Sequence, residues 1–341
     1  MKIEELEKEL KQGILRNLYL LYGEEKFLLE SSLKTIKKLF GEKIPGINYI
    51  ILDDTNVSEL ITDIETPAFG YEKKLIIVKN AQLFKKDSKK KKIDDNIKEK
   101  LNKYILENFD VIKQSVVLVF IEDAVEKCEL LTTFEKMGIV CNFEYQKPIQ
   151  IQNRLKAMLT AYKINVDNYT LSYFIECCGT DMQELINELK KLVEYVGPGN
   201  TMTKQDVDNL VIKKMESVIF DLTDCLGKKN LARAIEILRN LTLSKEPLPK
   251  ILITLYNHFK RIYLTKYALK LNKDIAESLD LRPNQKFLVN KYKAQASYFS
   301  SEELRNILQE LCDLDYKYKS GLIDIQVGLE SILCAYIWVF I

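Results

Sequence analysis

The chain has 341 residues, 47% of them hydrophobic, enough for two or three domains that each bury a core. Its 51 basic and 49 acidic side chains nearly cancel, so no global field commits it to nucleic acid or a membrane surface, and an electrostatic partner must be met by a local patch. Seven cysteines, an odd number with no C-x-x-C spacing, argue against a disulfide framework or a zinc site and point to reduced, mostly buried thiols in a cytoplasmic protein.

Residues 1–18 read as a charged amphipathic helix without the apolar centre of a signal peptide. The apolar run Leu18–Tyr22 then meets Gly23, and a helical pattern carried by Phe27, Leu28, Leu33 and Ile36 follows. Strand, glycine, helix is the layout of a phosphate-binding loop. Such a loop needs G-x-x-x-x-G-K-S/T, because backbone amides and a lysine neutralise the triphosphate while a hydroxyl holds magnesium. Here the register gives Leu28, Leu29 and Glu30 at the last three positions, and a triphosphate would meet Glu24, Glu25 and Glu30. The loop has the outline of a nucleotide site and none of its chemistry.

Further strands are predicted at Tyr49–Leu52, Leu75–Val78, Val116–Ile121 and Ile139–Phe143, and strands separated by helices imply a parallel α/β sheet. A magnesium ligand belongs at the end of a later strand. Leu75–Val78 runs instead into Lys79-Asn80, while VVLVFIED ends in Glu122-Asp123, an acidic match available by chance. Ahead of the third strand, Pro67-Ala68-Phe69-Gly70 places an aromatic on a turn or helix end after Leu60, Ile61 and Ile64. Phe69 either enters a partner's apolar pocket as an anchor or packs beneath its own sheet. The lysine run Lys89–Lys92, with Lys85 and Lys86, suits a phosphate-backbone contact by composition, but Asp87, Asp94 and Asp95 and the lack of interleaved aromatics weaken it and make a solvated loop the default.

Lys147-Pro148 reads as a boundary, after which the chain is expected to be wholly helical. Within Gln183–Val196, Leu185, Leu189, Leu192, Val193 and Val196 share one face, and Gly197-Pro198-Gly199 stops the helix. A short helix is expected from Thr203, capped with Asp206, and a larger helical region from Met215. There Pro247 opens one long helix, Ser300 and Glu303 cap another carrying Leu304, Ile307, Leu308, Leu311 and Leu314, and Ile323–Ile341 is the last, its apolar tail too short to span a bilayer. The one histidine, His258, lies inside the helix from Pro247 and is expected in the core or on the surface, not as a ligand or base. The acidic pairs Asp53-Asp54, Asp94-Asp95 and Asp313/Asp315 read as solvated faces; on a helix, residues two apart diverge. No G-x-S-x-G elbow and no cysteine–histidine arrangement is present, so no catalytic residue is assigned.

The stretches LYLLYGEE (18–25), PAFG (67–70) with KKLIIVKN (73–80), CGTD (178–181) with Leu185, Glu188, Leu189, Lys191 and Leu192, VIFDL (218–222), Glu246-Pro247 and LDYKYKS (314–320) resemble, in order and spacing, the delta subunits of the bacterial DNA polymerase III clamp loader. The resemblance implies an AAA+-like α/β domain with a parallel sheet and a degenerate P-loop over 1–145, then two all-helical domains, a small lid-type bundle over 146–213 and a collar or oligomerisation domain over 214–341. It implies a non-catalytic subunit of the DNA-directed DNA polymerase III holoenzyme, a nucleotidyltransferase complex, with no cofactor, no metal and no ATP hydrolysis. Such a subunit binds and opens the sliding clamp, and joins the ATPase subunits and the delta-prime subunit in a hetero-pentamer around primer-template DNA, away from any membrane. The clamp-binding residues it implies are Ile64, Pro67, Ala68 and Phe69; DNA contact would fall to Lys89, Lys90, Lys91 and Lys92. The family's wedge is commonly Leu-Phe, so Ala68 removes a side chain worth roughly 1.5–3 kcal/mol when buried. Either Phe69 bears more of the contact or Ile64 and Pro67 compensate. ATPases of this class place an arginine after Gly-x-x where this chain has Met182, which agrees with an inert site. Two rivals are an active nucleotide-dependent ATPase, disfavoured by the missing P-loop lysine, and a delta-prime-like inactive scaffold, disfavoured by the absence of a Ser-Arg pair.

Overall fold

The computed structural model describes residues 1–85, 95–243 and 246–338, and the chain divides into two units, residues 1–145 and 146–341. The first is built on five strands: β1 (Leu18–Tyr22), β2 (Tyr49–Leu52), β3 (Lys74–Lys79), β4 (Val116–Glu122) and β5 (Ile139–Asn142). All pair in parallel, in the order β2-β3-β4-β1-β5, with Leu20 opposite Phe120 on one side and Val140 on the other. Helices α1 (Ile3–Lys11), α2 (Lys26–Phe40), α3 (Leu60–Glu65), α4 (Asp95–Glu107), α5 (Phe109–Ser115) and α6 (Glu129–Met137) cover it.

Side-chain alternation along each strand feeds two cores. Leu18, Leu20, Ile76, Val78, Leu118 and Phe120 pack with Leu60, Ile64, Phe84, Leu101 and Phe134 on one face, where Phe84, Phe120 and Phe134 stand edge to face at 5.1–5.4 Å. Tyr19, Leu21, Leu75, Ile77, Val117 and Val119 pack with Leu6, Leu28, Leu33 and Ile36 on the other. Because β1, β3 and β4 are covered on both faces, their sequences are unbroken apolar runs. The first helix is shorter than its sequence suggests: it ends at Lys11, and Asn17 instead donates its side-chain amide to Val116 O at 2.7 Å, tying the approach of β1 to β4.

The second unit contains α7 (Pro148–Ala161), β6 (Asn165–Val166), α8 (Asn168–Cys178), α9 (Met182–Val196), β7 (Thr201–Met202), α10 (Lys204–Leu210), α11 (Met215–Gly227), α12 (Leu231–Leu243), α13 (Leu248–Lys270), α14 (Ile275–Ser278), α15 (Leu288–Tyr298), α16 (Ser301–Lys319) and α17 (Ile325–Trp338). It is therefore not wholly helical. β6 and β7 form a two-residue parallel pair, too short to leave a periodic signature, in which Asn165 faces Thr201 and Val166 faces Met202. Capping follows the sequence: Asp206 N donates to Thr203 Oγ1 at 3.3 Å and Glu303 N to Ser300 Oγ at 3.0 Å, with each acidic side chain accepting from its cap residue's N–H. Around residue 213, ion pairs join α8 and α10 to α11 and α15: Lys213 lies 3.6 Å from Asp208 and 3.8 Å from Asp221, and Lys291 lies 2.8 Å from Glu176. Among the described residues, no helix is long and apolar enough to cross a membrane.

Candidate functional site

The carboxyl ends of parallel strands form the crevice where α/β folds bind ligands. Here the turn that leaves β1 packs against the end of β5. Only Gly23, Glu24 and Glu25 separate β1 from α2, too few to wrap a phosphate chain. Glu25 N donates to Phe143 O at 2.8 Å, and Gly23, at φ +127°, lies so close to β5 that a Cβ there would stand 2.4 Å from the same oxygen. Beside them Lys26 Nζ is 2.6 Å from Asp123, which holds that carboxylate below its usual range. The Glu25 amide is spent on Phe143 O, Lys26 on an exposed pair with Asp123, and the turn at Gly23 lies against backbone.

Glu122, at the end of β4, is 1% exposed. Burial pushes its carboxyl up to about 7 against the N–H groups of Gln82 and Leu83, which favour the charged form, and its Oε1 has no protein partner. Gln82 and Asn80 both take positive φ, 58° and 50°, so the segment leaving β3 is bent to aim those two N–H groups at the carboxyl.

A second feature projects from the same unit. Helix α3 buries Leu60 and Ile64 and ends at Glu65; Pro67 follows, exposed, and Ala68 half-buried. Tyr71 N donates to Ala68 O at 2.8 Å and Gly70 takes φ +82°, the type II geometry that requires a glycine at its third position and puts Phe69 at the corner. Phe69 is 76% exposed, so of the two placements its sequence allowed, the turn presents it outward. Ile64 is 2% exposed in the sheet core, so it is not on the surface beside Phe69. Lys74, the first residue of β3, is 2% exposed and its Nζ donates to Asp63 O at 2.8 Å and Thr66 O at 2.7 Å.

Two family models match the chain: "DNA polymerase III, delta subunit" over residues 19–144 and "DNA polymerase III delta subunit, C-terminal domain" over residues 216–336. The chain belongs to the DNA polymerase III delta-subunit family. It is 27% identical over 332 residues to the DNA polymerase III subunit delta of Bacillus subtilis, covering 96% of this chain and 94% of that one. An Aquifex aeolicus relative is 29% identical over 317 residues, with 87% and 85% covered. The solved Bacillus subtilis DNA clamp loader delta protein superposes with a TM-score of 0.77 at 25% identity over 98% of this chain and 99% of that structure.

The other residues singled out in this delta-family chain are placed as follows. Met182 is 1% exposed in the first turn of α9, a core side chain. His258 is buried, with Nε2 2.9 Å from Gln295 Oε1. Gln295 Nε2 donates to Phe220 O at 3.0 Å and Asp224 at 2.6 Å, so the amide turns its oxygen to the ring and the histidine donates from Nε2. Burial pushes His258 down to about 4, making it a neutral structural group. Asp53 accepts from Thr55 N at 2.9 Å, and Asp315 pairs with Lys319 at 2.6 Å. Among the described residues no group of three or more histidine, cysteine or acidic side chains is placed to hold a metal. Lys89–Lys92 and Asp94 lie outside the described residues. The burial of two groups escaped the sequence reading: Lys74, and Glu122, which the sequence offered only as a chance acidic match at a strand end. A buried ion inside an apolar run is visible only through its backbone partners, although Pro67, four residues after Asp63 and unable to donate, was a hint for the first.

Proposed function

We propose that this chain is the clamp-opening subunit of a cytoplasmic DNA polymerase III clamp loader and acts by shape, without hydrolysing ATP. The observation that carries the reading is Phe69, a large apolar side chain 76% exposed at the corner of a turn whose neighbours are anchored in the sheet core. Such a side chain gains free energy by entering an apolar pocket, and aromatic anchors of this kind dominate interface energetics. A ring that opens and closes at its protomer interfaces is shifted toward the open state by a binder that prefers it, by no more than the difference in affinity for the two states. No bond is made or broken by this subunit.

In this reading residues 1–145 meet the sliding clamp through Phe69, with Pro67 and Ala68 at its rim and Ile64 anchoring α3 in the sheet core. Residues 146–213 serve as the lid-type bundle, and 214–341 as the collar that joins the ATPase and delta-prime subunits around primer-template DNA. Lys89–Lys92 contact its phosphates, and their replacement by serine in the assembled loader should flatten the salt dependence of DNA binding. The turn at Gly23, packed against β5, supports the absence of an ATP step.

The test is binding of the purified chain to the sliding clamp without nucleotide. Phe69→Ala should weaken it by at least about 30-fold, the equivalent of about 2 kcal/mol, with the circular dichroism spectrum unchanged. A folded Phe69→Ala chain with ordinary affinity, or micromolar ATP binding by the isolated chain in calorimetry, would overturn the reading.

A further inference from the structure

The backbone that carries Phe69 has a specific weakness. A helix leaves its last carbonyls without intrahelical donors, and the carbonyl of Asp63 would ordinarily receive the N–H four residues on. That residue is Pro67, which has none. Thr62 O is served twice, by Thr66 N at 2.9 Å and Thr66 Oγ1 at 2.7 Å, so the helix end is bonded tightly up to Thr66 and then loses its natural partner.

Lys74 fills the gap. It enters β3 on the same face as Ile76 and Val78, toward the core that holds Leu60 and Ile64. From there its Nζ reaches Asp63 O at 2.8 Å and Thr66 O at 2.7 Å, one carbonyl on each side of the helix end. A lysine is rarely so buried unless its charge is matched; here the matching groups are the negative end of the α3 dipole and the nearby Asp63 carboxyl. Burial lowers the Lys74 ammonium from its usual range and Asp63 opposes that shift, consistent with a cation held for its donors. An ammonium can serve two carbonyls where one backbone N–H could serve one.

We propose that Lys74 is a positioning residue for clamp recognition: by clamping Asp63 O and Thr66 O it fixes the exit of α3 and so the direction in which the Ala68–Tyr71 turn presents Phe69. This rests on the reading of Phe69 as the clamp contact. Within the segment from Thr66 to Lys73 the Tyr71 N to Ala68 O bond shapes the turn but does not orient it against the sheet. Orientation comes from the sheet through Lys74.

The experiment uses the full chain with Lys74→Met, which keeps the buried stem and removes the donors, Lys74→Arg, which keeps them, and each in the Phe69→Ala background. Lys74→Met is expected to lower clamp affinity at least tenfold and to speed amide hydrogen exchange at Phe69–Tyr71 at least tenfold, with exchange in β1 and β4 unchanged. Lys74→Arg should restore most of both. In the Phe69→Ala background Lys74→Met should cost no further affinity, whereas a general loss of stability would cost the same in either background. Should Lys74→Met not fold, Lys74→Gln, which reaches one carbonyl at most, is expected to give the same two losses in smaller measure. If Phe69→Ala loses affinity while the lysine variants bind and exchange like the parent, or if the lysine loss is equal in both backgrounds, the positioning role is refuted and the reading of Phe69 stands. If Phe69→Ala itself binds normally, the reading of Phe69 falls; faster exchange at the turn in Lys74→Met then refutes only the link to the clamp.

Discussion

At the scale of single residues, burial decides which titratable groups matter. Glu122 is neutral in both states below about pH 4.5, so it costs nothing there; between 4.5 and about 7 the folded chain holds its proton and the unfolded chain does not. Stability from this group is therefore greatest in acid and is lost as the pH rises through 7, by up to about 3 kcal/mol. Glu122→Gln, which keeps an acceptor for the Gln82 and Leu83 N–H groups, should stabilise the first unit by up to that amount at pH 8 and by nothing at pH 4.5. Calorimetric unfolding at the two pH values measures it; an equal gain at both would show that charge is not the cause. Phe69 was legible in the sequence because Pro, Ala and Gly beside an aromatic announce a turn, and its outward placement needed only the turn type. The burial of Lys74 and Glu122 was not, because an ionisable residue at a strand end looks the same whether it faces water or backbone groups of opposite polarity.

At the scale of elements, β1, β3 and β4 were readable because coverage on both faces leaves β-branched and leucine-rich runs with no polar alternation, the edge-ward β2 and β5 because their short apolar runs are still rich in strand formers, and the capped helices α10 and α16 because Thr203/Asp206 and Ser300/Glu303 are local signals. The β6–β7 pair was not, since two residues cannot display a period. Nor was the early end of α1, where Gly13, at φ +78° just past the helix with Ile14 N donating to Glu9 O at 3.0 Å, is a local stop inside a pattern that otherwise continues. The join between β1 and α2 depends on one missing side chain. Gly23→Ala adds a Cβ 2.4 Å from Phe143 O at a φ of +127°, so either β5 shifts or the turn rebuilds. A loss of about 2–4 kcal/mol is expected, read as a lowered midpoint for the first unit in thermal unfolding. A midpoint unchanged within a degree would mean that β5 moves aside at little cost.

At the scale of the whole molecule, the two units carry buried groups of opposite pH sense. His258 is neutral in the folded chain down to about pH 4 but binds a proton near 6.5 when unfolded, so stability in the second unit is complete above 6.5 and falls as the pH drops toward 4, again by up to about 3 kcal/mol. His258→Gln, if it keeps the donor to Gln295, should blunt that acid loss without touching the loss that Glu122 sets in the first unit as the pH rises from 4.5 to about 7. Two calorimetric transitions whose response to each substitution is confined to one unit would confirm it; a shift of both by either variant would not. The chain divides at residue 146, beside Lys147-Pro148, whereas the Lys291–Glu176 pair that joins α15 to α8 lies between residues far apart in the chain and had no local trace. Gln295, by spending its amide nitrogen on α11, compels the imidazole to keep its ring proton on one nitrogen, out of reach of solvent. Since no other histidine exists in the chain, that proton supplies a solitary magnetic-resonance signal, so any protein that docks on these helices and disturbs their junction can be followed without attaching a label.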